Sequence, residues 1–354
     1  MLALVACAGQ ARAQTVAAPP TANEPSIRVG TQLFLDYTVQ DQPKVTDVDG
    51  NQRTLSQFEV GRAYINIVGN LTKNISFRVT PDVVRETGVG SSLNGSYTFR
   101  LKYAYAQWAL DDHVSKGSWA RFGQQPTPWV GFMDEIYRYR FQGQAFEERD
   151  GYLFSSDAGA SFRYALPNDY GDVHGGVFNG EGWQRPEVND QKGWMVRGTA
   201  RPLGPHEGPL HGLRVHGFID HDLYAKSDQR RRAIFAATYE HKYVNAGFNY
   251  LATKDQTAAN VTAVDGRGWS VWVTPRTTKG FEGLLRYDEV EPNTDQSSQK
   301  KKRTIGGVAY WFPHQNGITT AIMFDVDNLK FDGFPATPVF ATQRKYAVHA
   351  LLDF

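Results

Sequence analysis

The sequence predicts an all-β fold: a transmembrane antiparallel β-barrel of about 16 strands, with a long third loop folded into the lumen. Three observations predict it. Apolar and polar residues alternate with period two from Ile27 to Phe354. Connections between the alternating runs are short and long by turns. One connection, between Pro126 and Ser156, is far longer than a compact domain tolerates unless it has a task.

Composition narrows the classes. The chain has 354 residues, 41% of them hydrophobic, enough for a large core. Its net charge of +1 provides no global field for nucleic acid, and none is expected as a partner. No run of 18 apolar residues codes a transmembrane helix, which leaves membrane strands open because their signal is weaker.

Residues 1–13 read as an export signal: 2–8 are apolar or small, and Ala11-Arg12-Ala13 has the form of a signal-peptidase site. The usual basic start is missing, so the signal reads as truncated. Cys7 also fits a lipoprotein box, but the apolar run before it is short. Cleavage after Ala13 removes the only cysteine and leaves no thiol chemistry. Residues 14–26 form a Pro/Ala-rich lead-in, and 27–354 the barrel.

Along the barrel, Val29, Leu33, Leu35 and Tyr37 alternate with Arg28, Gln32, Asp36 and Thr38. Ala63, Ile65 and Ile67 alternate with Arg62, Tyr64 and Asn66, and the pattern recurs down the chain. Short turns are expected near 70–73, 111–117, 167–170, 202–210, 241–242, 276–280 and 313–317. Longer polar loops are expected at 41–55, 86–95, 126–156, 180–191, 225–229, 255–265, 291–300 and 331–343. A soluble β-protein would alternate too, but its buried face would not hold so many Arg, Asp, Asn and Gln. Tyr37, Trp108, Trp269, Tyr287, Tyr310 and Phe312 fall near strand ends, as interfacial girdles do. In Arg100–Trp108 the pattern breaks: Lys102 shares parity with Ala104 and Ala106, which implies a bulge or a residue on an unexpected side.

The ending, with Tyr346, Val348, Ala350, Leu352 and Phe354 in alternation, resembles the terminal strand signal of bacterial outer-membrane proteins. Phe58-Glu59-Val60-Gly61-Arg62-Ala63, Arg121-Phe122-Gly123-Gln124-Gln125-Pro126 and Val177-Phe178-Asn179-Gly180 resemble recurring segments of the phosphate-selective porin O/P-like group. The resemblance implies a Gram-negative outer-membrane location, a sixteen-stranded homotrimer, an inward third loop and recognition by the outer-membrane assembly machinery. Its surroundings would be outer-membrane lipid and lipopolysaccharide, and its cargo small polar solutes or ions.

The third loop supplies the candidate constriction: Asp134, Glu135, Arg138, Arg140, Glu147, Glu148, Arg149 and Asp150. Acids outnumber bases there and no lysine cluster is present, which argues against a dedicated phosphate filter. The same charges would serve equally to pin the loop to the wall. Candidate wall residues are Arg28, Arg62, Arg78, Asp82, Arg163, Arg214 and Arg286. They form either an anion stripe or ion pairs with Asp36, Asp82, Asp220, Glu282 and Asp288, and the comparable acid count favours pairs. Trp129, Tyr137, Tyr139 and Phe141 are either a slide for sugar rings or loop packing. Two basic runs, Arg230–Arg232 and Lys300–Arg303, lie at strand starts, either as a solvated face or as contacts to lipopolysaccharide phosphates. Gly175-Gly176 and Gly306-Gly307 mark places of close approach.

Catalytic and metal signatures are thin. There is no G-x-S-x-G and no evident Ser/His pair, and His211, His216 and His221 are spaced to alternate faces. No cofactor and no metal are expected. The reading is a passive porin for small hydrophilic solutes and ions. Its rivals are a channel specific for phosphate, other anions or sugars, and a barrel enzyme or plugged structural barrel. Reversing Glu147 and Glu148 to Lys tests whether they face the pore.

Overall fold

The computed structural model describes residues 25–354 except 89, 188, 205, 224–228, 257 and 259. The export signal and most of the lead-in lie outside the described residues. Sixteen strands pair antiparallel in sequence order and close on themselves. The first eight are β1 (Ser26–Thr46), β2 (Gln52–Asn70), β3 (Ile75–Arg85), β4 (Tyr97–Ala109), β5 (Trp119–Pro126), β6 (Ser156–Ala165), β7 (Gly171–Phe178) and β8 (Gly193–Ala200). The second eight are β9 (Leu213–Asp222), β10 (Arg230–His241), β11 (Val244–Asp255), β12 (Val264–Pro275), β13 (Phe281–Glu291), β14 (Lys300–Trp311), β15 (Thr319–Asp332) and β16 (Gln343–Asp353). Closure joins β1 to β16, with Leu33 opposite Leu352 and Tyr37 opposite Val348. Phe354 extends the seam, its N–H donating to Thr31 O at 3.0 Å and its carbonyl accepting from Thr31 N at 2.7 Å. Among the described residues no helix is long and apolar enough to cross a membrane, and the strands form the closed wall.

Strand parity separates two faces. Outward residues such as Phe248, Val271, Leu285, Val308 and Phe324 are exposed. An apolar exterior on a closed barrel is the surface a lipid bilayer covers. Tyr346 and Val348 share that outward face, whereas Ala347, His349 and Leu351 of β16 are buried.

Three local features depart from the sequence pattern. Residues 41–55 are not a long loop, because β1 and β2 run on as a hairpin turned by 47–51. Asp47 closes it by accepting from the N–H groups of Asp49 (3.0 Å) and Asn51 (2.8 Å), and Lys44 donates to Thr54 Oγ1 at 2.7 Å. A backbone ladder forms there without an apolar face, so polarity marked exposure and not irregularity. Second, the inner face is not uniformly polar. Phe218, Ile234, Leu251, Leu284, Ile305 and Met323 occupy inward positions on β9–β15 and are buried. Third, the register of β3 against β4 shifts between Thr80 and Pro81, so a bulge carries Lys102 to the inner side beside Tyr103. That is the bulge implied by the parity break.

Of the glycines expected at close approaches, Gly307 is crowded: a Cβ there would sit 2.7 Å from Phe324 O. Gly306 is nearly open. The contact with the long loop falls at Gly268, where a Cβ would lie 2.8 Å from Phe146 Cζ.

Candidate pore constriction

The segment between β5 and β6 is built from two short helices, α1 (Val130–Tyr137) and α2 (Phe146–Arg149). Val130, Met133, Ile136 and Tyr137 are the buried face of α1, a helical spacing of apolar residues within an otherwise charged stretch. The helix stops at Arg138, which adopts a left-handed backbone (φ 68°) and donates its N–H to Asp134 O. A non-glycine residue there costs about 1 kcal/mol. The Arg138 side chain offsets part of that, pairing with Glu282 at 3.3 Å with its guanidinium 4.4 Å from the Trp311 ring centroid.

Inward side chains of the second half of the barrel grip this segment. Asn245 Nδ2 of β11 donates to Ile136 O at 2.6 Å. Arg286 Nη1 of β13 donates to Gln144 O at 3.1 Å, and Arg232 Nε of β10 to Tyr152 O at 3.1 Å. Gln142 Nε2 donates to Asp325 Oδ2 of β15 at 2.6 Å. From the other side, Arg197 Nε of β8 donates to Pro128 O at 2.9 Å. Four of these bonds, all but Gln142–Asp325, go to backbone carbonyls of the loop. Apolar contacts join them: Trp129 meets Phe218 at 5.4 Å between ring centroids, and Tyr137 meets Trp272 at 5.3 Å. Trp129, Tyr137, Tyr139 and Phe141 are all buried, so they form the packing and not an open slide for sugars.

Seven of the eight loop residues singled out from sequence fall into two groups. Arg138, Glu147, Arg149 and Asp150 turn to the wall of β11–β15. Glu147 accepts from Asn249 Nδ2 at 3.0 Å, Arg149 lies 3.5 Å from Asp327, and Asp150 pairs with Lys301. Burial pushes the Glu147 carboxyl up to about 7. Asp134, Arg140 and Glu148 form a separate cluster: Arg140 bonds Asp134 at 2.9 Å and grips both oxygens of Glu148. Glu135, adjacent to Asp134 on α1, is exposed.

The wall residues are mostly paired, though not always with the expected acids. Arg62 pairs with Asp82, and Arg286 with Asp288 at 2.8 Å. Arg163 pairs with Asp172 at 2.9 Å and Arg214 with Glu240 at 3.1 Å, acids outside the expected set. Arg78 donates to Asn66 Oδ1 at 2.7 Å and Thr80 Oγ1 at 2.9 Å. Arg28 is exposed near the short-turn end of β1. Asp36 binds His349 at 2.6 Å, Glu282 serves Arg138 and Arg276, and Asp220 makes no ion pair among the described residues.

Sequence reasoning missed three cations on β4 and β5. Arg100, Lys102 and Arg121 point inward and make no ion pair among the described residues. Aromatic rings back them instead. Arg100 lies 5.0 Å from the Trp183 ring centroid, Lys102 4.5 Å from Tyr64, and Arg121 3.8 Å from Trp119 and 4.8 Å from Tyr105. Arg78 repeats the arrangement, 4.6 Å from Tyr103. Lys102 also donates to Tyr64 OH at 2.9 Å. The parity break was the only sequence signal for this group. Trp183 belongs to the loop between β7 and β8 and had no signal at all.

The structure also brings Ser161 and His174 within 3.2 Å, a pair the sequence did not reveal. The Ser161 hydroxyl donates to Gln125 Oε1 at 2.6 Å, away from the imidazole, so the geometry is not that of an activated nucleophile. His216 is held between Thr199 and Thr238, and His221 stacks on outward Trp194.

Residues 27–199 match the family model described as phosphate-selective porin O and P. The chain is a Gram-negative outer-membrane β-barrel whose N-terminal half, 173 of 354 residues, matches this porin family. No curated protein matches it. Solved structures share the fold of this barrel at low identity. The anion-selective porin from Comamonas acidovorans superposes with a TM-score of 0.65 at 11% identity, covering 94% of this chain and 100% of that one. The trimer form of in-vitro folded OmpT from Vibrio cholerae gives 0.58 at 13%, covering 94% and 100%. The outer membrane channel DcaP of Acinetobacter baumannii gives 0.60 at 10%, covering 94% and 98%.

Proposed function

We propose that this porin is a passive channel whose third loop lies across the lumen against β8–β15, so that solutes pass along the wall of β2–β5. The observation that carries this reading is the row of inward cations without carboxylate partners, Arg100, Lys102 and Arg121, each set against an aromatic ring. A ring face holds a guanidinium or ammonium in place without neutralising it. Such charges draw anions, and several weak sites in series let an ion enter and leave. Opposite them stand Asp134, Arg140 and Glu148, where one guanidinium offsets one of two carboxylates, so the three wall cations outnumber the one acid left over. The channel therefore passes small hydrophilic solutes down their gradients, with anions preferred. Glu147 faces away from this path.

A second reading, a channel specific for phosphate or another anion, draws on the same cations. Planar-bilayer recording separates the two. Open conductance with a reversal potential on the chloride side in a KCl gradient supports the first reading, and chloride current that saturates with micromolar phosphate supports the second. A folded protein without conductance overturns both. We also propose a homotrimer, supported by the trimer form of the OmpT neighbour.

A further inference from the structure

The two basic runs are split by strand parity. Arg230, Arg232, Lys301 and Arg303 turn inward and bind Asp222, Asp255, Asp150 and Asp327. Arg231, Lys300 and Lys302 turn outward, at the long-loop end of the barrel, which faces the cell exterior in outer-membrane barrels. Neighbouring strands extend the outward set with Lys254, Arg267 and Lys330.

Two cross-strand pairs in this band are like-charged. Arg231 stands opposite Lys254, and Lys302 opposite Lys330. Like charges directly opposite destabilise a sheet unless an anion lies between them. Arg231 and Lys330 make no ion pair among the described residues, the Lys254–Asp265 contact is long, at 3.8 Å, and Lys302 pairs at 2.7 Å with Asp332, an exposed carboxylate in a weak surface pair. Just below the band sit Tyr250, Trp269 and Tyr287, with Tyr250 in register opposite Trp269 and Trp269 5.1 Å from Tyr287. These are the residue types that mark a membrane interface. Between them opens an outward groove of about 280 Å³ lined by Tyr250, Arg267, Trp269, Glu289, Glu291 and Lys300. Of its ion pairs, both 2.9 Å, Lys300–Glu289 is partly exposed and weak enough to exchange for a stronger anion, whereas Glu291 is buried beneath an exposed Arg267.

We propose that the outward rim of β10–β15 is a docking surface for a phosphorylated glycolipid of the outer leaflet. Its phosphates lie between the like-charged pairs, its sugar fills the groove against Trp269 and Tyr250, and its acyl chains run down the apolar wall. Glu289 and Glu291 meet the divalent cations that accompany clustered phosphates. The solute path plays no part in this proposal.

The test is native mass spectrometry of the porin in neutral detergent, titrated with bisphosphorylated lipid A, dephosphorylated lipid A or orthophosphate. Wild type should retain bisphosphorylated lipid A. R231Q/K254Q/K302Q should weaken that binding by about tenfold or more, and R231K/K254R/K302R should restore it. Bilayer conductance should be the same in all three, which shows that the variants fold and separates this result from the channel reading. Equal lipid A binding by wild type and the glutamine variant would overturn the proposal. So would equal binding of dephosphorylated lipid A, which would make acyl chains the determinant. Competition by orthophosphate at the lipid's own concentration would overturn it too, by making the band a free-phosphate site.

Discussion

Glu147 shows how a charge read from sequence changes meaning once its neighbours are known. In the sequence it stands beside Glu148 as one of a pair. In the structure Glu147 is buried against Asn249, while Glu148 turns to Arg140. One step along α2 rotates a side chain by roughly a quarter turn or more, enough to send neighbours to opposite sides. The consequence is a pH dependence. Below about 4.5 the Glu147 carboxyl is neutral both in the packed loop and in an unfolded one, so nothing is lost. Between about 4.5 and about 7 the unfolded form ionises first and the packed loop loses stability. Above that window the loss is complete, at most about 3 kcal/mol. Hydrogen exchange of amides 145–153, corrected for intrinsic rate, should therefore quicken from pH 5 to pH 8. Glu147→Gln should abolish the change, and an unchanged pH response in that variant would remove Glu147 as its source.

At the scale of elements, the strands and their connections were largely legible. Period-two alternation locates a membrane strand because lipid and lumen demand opposite chemistries on its two faces. The alternation failed where a third surface intervened. Ile234, Leu251, Leu284 and Ile305 break the polar inner face because Met133, Ile136, Phe146 and their neighbours in the third loop pack in the same cluster. Sequence shows such residues as noise, since nothing in a linear pattern says which loop covers which strand. The helical spacing of Val130, Met133, Ile136 and Tyr137 was the available hint, masked by the charges between them. Phe146 is the test of this packing. Phe146→Ala should cost about 3–5 kcal/mol of local packing. We expect an intact barrel, by its heat-modifiable gel mobility, with current that flickers between sublevels. A steady single-channel trace would show that Phe146 does not hold the loop. The seam is a second element with a direct test. Deleting Phe354 removes both backbone bonds to Thr31 and the last aromatic of the proposed assembly signal. The fraction of protein reaching the heat-modifiable folded form in cells should fall several-fold, and wild-type yield would deny the terminus a role in assembly.

For the whole molecule, the near-zero net charge conceals an uneven arrangement. Carboxylates neutralise arginines on most of the wall, as at Arg62, Arg163, Arg214 and Arg286. Along β4 and β5 aromatic rings take that place, and charge remains. A count of acids against bases averages over this difference, which is why sequence argued against a dedicated phosphate filter. The bulge at Lys102 was legible as a parity break, but the reach of Trp183 over β4 is a tertiary fact that no spacing encodes. The account stands on whether solutes meet that wall. The deciding measurement is the reversal potential in a KCl gradient for wild type, R100Q/K102Q and R149Q. Wild type and R149Q should both favour chloride, because Arg149 is held against Asp327 on the opposite wall. R100Q/K102Q should lose most of that preference while still conducting. An unchanged reversal potential in R100Q/K102Q, or a shift in R149Q alone, would contradict a solute path along β2–β5.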